Sequence, residues 1–297
     1  MRSPLNKRLF RELRGEFGKY LVIFILMTLT IGMVSGFLVA DGSMIQAYEE
    51  SFEKYSIENG HFRTEKKMNN AQIQDIEDLG IKLYENYYVE EALTNGSTMR
   101  IFKNRDEVNK VCLMKGKMPE KPGEIGIDRM YADNNDLSVG DEIESGGHTW
   151  KITGLVALSD YSALFSNNND SMFDSVKFGV SVVCPEEFDS YKADQLNYSY
   201  AWKYNTEPKN EKAEKDISED LMEDVAKEVT LEEFVPRYTN QAIIFTGDDM
   251  GGDRSMMIVL LYIIIVIMAF VFAITTKNTI RKEANVIGTL RASGYTR

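Results

Sequence analysis

The chain lacks the short motifs that most often announce catalysis. It has no G-x-x-x-x-G-K-[ST] loop, so it offers no backbone cradle for ATP phosphates. It has no H-E-x-x-H helix, no C-x-x-C pair and no G-x-S-x-G elbow, which leaves metal and serine-nucleophile chemistry without a carrier. Histidine is scarce: His61 and His148 are the only two, far apart and without companion ligands. Cysteine is as scarce. Cys112 and Cys184 lie in the strand-like stretches VCLM and VVCP, which read better as two buried small hydrophobes than as a disulfide, because a domain of this size needs no staple. Internal repeats and low-complexity tracts are also missing. No cofactor and no metal are expected.

Charge is missing from two long stretches. Residues 20–40, YLVIFILMTLTIGMVSGFLVA, and residues 255–276, SMMIVLLYIIIVIMAFVFAITT, contain no Asp, Glu, Lys or Arg. Each spans roughly 30 Å as a helix, the thickness of a bilayer's hydrocarbon core. The first is too long for the apolar region of a cleaved signal peptide, and its exit, LVADGS, has a leucine where a small residue is wanted. Both read as transmembrane helices.

The flanks set the orientation. Residues 1–19 carry six Lys/Arg against two Glu, and residues 277–297 carry five against one, so each flank is +4. The whole chain is −12, which leaves −20 for residues 41–254. Short basic flanks stay in the cytoplasm, so both ends are expected inside a plasma membrane and the acidic block outside. That charge argues against a nucleic-acid partner.

Within the block, helical spacing continues past the first span to about Ser56. HFRT reads as a strand, and NNAQIQDIEDLG as a short helix stopped by Gly80. IKLYENYYVEEAL and STMRIFKN read as strands of one sheet, joined through NGS. Residues 113–157 read as a compact β-rich module whose Gly146 and Gly147 make a hairpin turn. NYSYAWKY places Tyr198, Tyr200, Trp202 and Tyr204 on one face of a strand. That face is either packed core, the better reading, or an exposed platform for a lipid or peptide. EKAEKDISEDLMEDVAKEV is a charged helix with an apolar stripe of Ile217, Leu221 and Val225, with Met222 and Val229 beside it. QAIIF reads as a last strand, and TGDDMGGDRS as a flexible acidic linker. The fold class expected is therefore two transmembrane α-helices flanking a mixed α/β (α+β) extracytoplasmic domain, with a C-terminal amphipathic helix. In the first span Gly32 and Gly36 form a G-x-x-x-G pair, either a close-packing face or ordinary membrane glycine.

The C-terminal helix, KEANVIGTLRASGYTR, places Ile280, Ala284 and Ile287 on one face, with Leu290 and Arg291 a turn further on. Gly288 costs about 1 kcal/mol against alanine unless something approaches the backbone there. A helix resting on lipid explains the basic charge. A helix docking into a protein groove explains the glycines as well.

This segment resembles the E-x-x-x-I-G-x-L-R-A-x-G-x-x-R stretch of FtsX-like (MacB-like) ABC transporter permeases, at Glu283, Ile287, Gly288, Leu290, Arg291, Ala292, Gly294 and Arg297. A second stretch, GKMPEKPGEIGID…LSVGDEI…HTWKITGLV over residues 116–156, resembles the extracytoplasmic core domain of the same family. The resemblance implies residues 1–19 as a cytoplasmic segment, 20–40 and 255–276 as spans, 41–254 as the MacB-like core domain and 277–297 as a coupling helix. It implies an ABC-type ATP-binding subunit as partner, with contact to membrane lipid. It implies that ATP hydrolysis in that partner moves the external domain, acting on a lipid, peptide, antibiotic or envelope enzyme, while this chain is not catalytic. Such permeases have at least four spans, so a second permease unit or the remainder of a longer permease is expected. Two other classes are a two-span membrane sensor with an external ligand-binding domain, for which 21 residues after the second span leave little output domain, and a membrane-anchored envelope enzyme, which the missing motifs disfavour.

Overall fold

The computed structural model describes residues 14–294. These divide into two compact units, one of residues 47–248 and one of the residues up to 46 together with those from 249 onward.

The first unit holds eleven strands in two sheets. Helix α1, Phe17–Lys54, contributes its last residues and ends in a tight stop. Ser56 takes a left-handed backbone, φ 51°, while Ser56 N–H bonds the carbonyl of Glu53 and Ile57 N–H that of Phe52. This pair of bonds satisfies carbonyls that a helix end leaves open. Strands β1, Gly60–Thr64, and β2, Ile81–Glu85, flank helix α2, Asn70–Glu77. The helix starts on a reciprocal cap between Asn69 and Gln72. Two residues past its end cap at Asp78, Gly80 turns the chain at φ 95°.

The remaining strands are β3, Tyr88–Ala92; β4, Thr98–Lys103; β5, Val111–Gly116; β6, Glu124–Asp128; β7, Glu142–Ser145; β8, His148–Leu158; β9, Phe178–Val183; β10, Tyr198–Tyr204; and β11, Leu231–Pro236. Four strands form an antiparallel sheet in the order β11-β1-β10-β2. Seven form a mixed sheet in the order β3-β4-β9-β6-β8-β5, with β7 paired to β8. In it β4 runs parallel to β9, and β6 parallel to β8. The stretch 81–92, expected in one sheet, is thus divided. Its β2 half pairs with β10 and its β3 half with β4. Alternating apolar residues fix that a segment is a strand, but not which partner it finds.

Short helices α3, Arg129–Asn134, and α4, Pro185–Phe188, follow strands of the large sheet, and α5, Glu211–Glu228, lies by the small one. On α5 the buried residues are Ser218, Leu221 and Val225. Ile217, read as part of the apolar stripe, is exposed, as is Met222, read beside it. The buried stripe is narrower than a 3.6-residue count of apolar side chains suggests, because a small serine occupies one of its positions. On β10, Tyr200, Trp202 and Tyr204 are buried and Tyr198 half-buried. Trp202 stacks on Phe234 and Phe62 on Tyr200. This face is core, as the better reading had it. Cys112 and Cys184 are both free thiols.

The last element is α6, Gln241–Ala292. It overturns two expectations: QAIIF is not a strand and TGDDMGGDRS is not a linker, since both lie inside this one helix. Asn240 starts it, its side-chain oxygen accepting from Ala242 N–H and its carbonyl from Ile243 and Ile244 N–H. A run of five residues fits either a strand or a helix turn. Here the cap and the burial of Ala242 and Ile243 decide. Within the glycine-rich part, Gly247 lies directly under the ring of Tyr48, where a Cβ would collide, so glycine is required at that position of the helix.

The second unit is the apolar part of α1 with the rest of α6. Both helices are long and apolar enough to cross a membrane.

Candidate functional site

The predicted coupling residues all follow the second apolar stretch on α6. They do not form a separate short helix, as expected, but continue the same helix to Ala292. Glu283 is half-buried. Ile287, Gly288, Leu290, Arg291, Ala292 and Gly294 are exposed, and Arg297 lies outside the described residues. Glu283, Ile287, Leu290 and Gly294 recur at steps of four, three and four, so they share one stripe. A Cβ built on Gly288 meets nothing within 4 Å. The chain's own described residues therefore give no reason for glycine at this position. Gly294 has φ 86°, and its N–H bonds the carbonyl of Arg291, which ends the helix as a C-terminal glycine does.

One residue the sequence reading missed fixes where this segment sits. Glu16 receives Lys282 Nζ at 2.5 Å on one carboxylate oxygen and Lys19 Nζ at 3.0 Å on the other. Lys19 also donates to Thr279 Oγ1 at 3.4 Å. A single carboxylate thus bridges a lysine from each helix. The hydrogen bond from Lys282, then that from Lys19, holds the Glu16 carboxyl below its ordinary range. That one of the two glutamates in a basic flank stands three residues before Lys19 is the sequence signal for this brace.

The external domain carries a second cluster, also unread in the sequence. Glu58, buried, pairs with His61 Nδ1 at 2.6 Å and accepts from Asn109 Nδ2 at 2.6 Å. Arg105 grips Asp160 with two bonds of 2.7 and 2.8 Å, and both side chains are buried. Glu58, His61 and Asp160 border a polar cavity of about 200 Å³ that Arg63, Arg100 and Glu233 also line. Opposite charges pair around its wall: Arg100 binds Glu90 and the Tyr161 hydroxyl, and Arg63 binds Glu232. Apart from Glu58–His61 and Glu90–Arg100, the partners lie 51 to 169 positions apart, which leaves little local pattern to read.

The 116–156 motif folds into β5 to β8 of the large sheet. Its Gly116 has φ 81° and faces the carbonyl of Thr153 so closely that a side chain would not fit. Gly154 faces the carbonyl of Lys117 in the same way. The motif's glycines thus mark where the β5 exit crosses β8.

No family model matches the sequence, and no curated protein matches it. Among solved structures, the chain is similar to the periplasmic region of MacB from Actinobacillus actinomycetemcomitans, with 11% identity over 57% of this chain and 85% of that one, at a TM-score of 0.32. It is similar also to the extracellular domain of the noncanonic ABC-type transporter YknZ from Gram-positive bacteria, with 10% identity over 57% of this chain and 92% of that one, at a TM-score of 0.31.

Proposed function

We propose that this chain is a permease subunit of an ABC transporter of the FtsX/MacB type, and that residues 283–294 dock on a partner ATP-binding subunit. One observation carries the reading. The motif that resembles a coupling helix lies on the C-terminal part of the helix that holds the second apolar stretch, and its described side chains from Val286 on are exposed. An exposed stripe of Ile287 and Leu290 bordered by Arg291 suits a protein groove. The membrane-surface alternative needs an apolar face laid flat on lipid. Here the stripe continues the axis of the span instead.

In this reading the partner hydrolyses ATP and this chain transmits the movement. Helix α6 is one rod of 52 residues, about 78 Å long at 1.5 Å per residue. In this reading a push at its C-terminal end travels along this helix. The Glu16 brace would make α1 share that push. Both termini lie in the cytoplasm, by the charge of the flanks. The moved domain acts on a lipid, peptide, antibiotic or envelope enzyme, together with membrane lipid and a further permease unit.

The test is co-expression with the cell's ABC ATPases, followed by purification through this chain in detergent. Retention of an ATP-binding subunit whose hydrolysis changes on reconstitution is expected. Retention of a kinase or response regulator instead would establish the sensor reading.

A further inference from the structure

The seam between the two apolar helices carries one acid without a partner. Asp41 is 5% exposed, and its Oδ2 has no hydrogen-bond partner. With Val34, seven residues earlier, it is one of the two buried residues of α1. In α6 the corresponding buried residues are Met250 and Met257, also seven apart. Arg254 stands between them, four residues after one and three before the other. It therefore belongs to the same stripe of the helix. It is exposed and pairs with no acid among the described residues.

We propose that Asp41 and Arg254 form an ion pair that closes this seam in a second state of the helix pair. The register of the helices places them level. Lys19 meets Thr279 and Glu16 meets Lys282, so the chains run antiparallel there. Counting from 19 to 41 along α1, and equally back from 279 along α6, brings Asp41 opposite Met257. Arg254 lies one turn before it, about 4.5 Å along the axis. A long, flexible arginine side chain covers such an offset.

Along residues 20–46 and 249–276 composition leaves no other choice of partner. Residues 20–46 contain no Lys or Arg, and Asp41 is their only acid. Residues 249–276 contain one base, Arg254. Of the acids near Arg254, Asp253 is its neighbour in sequence and points off its face. Asp249 is five positions back, off the i,i+3/i,i+4 spacing. A carboxylate buried at the end of an apolar span is costly alone, and its best relief is a guanidinium on the facing helix. The open pair seen here and the closed pair then differ by a rotation or slide of one helix on the other. The pair acts as a latch on that movement. This inference rests on the helix pair alone and stands or falls independently of the ATPase.

The experiment uses the full chain in native membranes, with Cys112→Ser and Cys184→Ala as background. Asp41→Cys with Arg254→Cys should form an intrachain disulfide under mild oxidation, about tenfold faster than Asp41→Cys with Met268→Cys, whose Cα lies several turns away. A rate no faster than that control overturns the proposal. The second measurement is thermal unfolding in detergent. Asp41→Asn and Arg254→Gln should each lower Tm, and the double variant should lose no more than the worse single. Fully additive losses would show two residues that are near but do not pair, and also overturn it. Asp41→Asn is isosteric and Arg254→Gln only shortens an exposed side chain, so the cycle does not depend on charge-reversed variants that fail to fold.

Discussion

The phenol of Tyr48 donates a hydrogen bond to the carbonyl oxygen of Ile243 at 3.0 Å, and its ring covers Gly247 one turn on. Residues nearly two hundred positions apart are thereby locked edge to edge. Tyr48→Phe removes only the hydrogen bond and should cost about 1 kcal/mol. Gly247→Val puts a branched Cβ onto the ring and should cost about 1–3 kcal/mol, even though valine is the better helix former. Thermal unfolding of the full chain in detergent ranks the two. A Gly247→Val protein as stable as wild type would contradict the close packing.

Arg105 and Asp160 make a different kind of prediction, because both are buried. Arg105→Met leaves the Asp160 carboxylate unpaired in the interior and should cost about 3–5 kcal/mol. Removing the acid as well, in Arg105→Met with Asp160→Leu, should recover most of that loss, since the penalty is the stranded charge and not the missing bond. Chemical denaturation of the single and double variants checks the order. A double variant worse than the single would refute it.

The Glu58–His61 pair gives the external domain a pH dependence with a definite sign. Burial alone would lower the His61 pKa, but the Glu58 carboxylate outweighs it and holds the imidazole above its ordinary 6.5. Burial would likewise raise Glu58, and His61, Asn109 and Arg105 together hold it below 4.5. A raised histidine contributes stability fully below 6.5 and loses it as pH climbs through the folded value. A lowered carboxylate contributes above 4.5 and loses it as pH falls through the folded value. The pair's contribution is therefore greatest between 4.5 and 6.5. His61→Gln should flatten the loss of Tm as pH rises above 6.5. An unchanged alkaline slope would show that His61 does not titrate in this way.

Local chemistry made much of this fold readable. The two apolar runs, the Gly146–Gly147 hairpin, the alternation of β10 and the Asn69 cap are each written within a few residues. Partner choice is not local. Nothing in IKLYENYYVEEAL says that β2 joins β10 while β3 joins β4, because the deciding contacts come from residues more than a hundred positions on. The continuous helix through TGDDMGGDRS was hidden for a related reason. Three glycines argue for a loop, and only the ring of Tyr48 shows why one of them suits a helix. At the candidate site the helical spacing of Ile280, Ala284, Ile287 and Leu290 could be read from the sequence, but the Glu16 brace joins residues 266 apart.

Gly288 supplies the sharpest test of the docking reading, because the chain itself leaves room there. A Cβ at 288 would meet nothing within 4 Å among the described residues, and leucine there should raise helix propensity by about 0.8 kcal/mol. Gly288→Leu should therefore leave Tm unchanged or slightly higher. If the helix lay on lipid, the added apolar surface would also leave function intact. If it docks in a groove of an ATP-binding subunit, the same side chain clashes with a backbone approach that only glycine allows, and should uncouple hydrolysis from the external domain. Glu283→Ala adds a second arm: a carboxylate gains nothing at an anionic surface, but in a groove it can meet a basic residue or a helix N-terminus. The measurement is complex retention and permease-dependent ATPase activity for both variants beside wild type. Loss of either, with Tm preserved, places the defect at the partner and not in the fold. Wild-type values in both variants would defeat docking through this stripe.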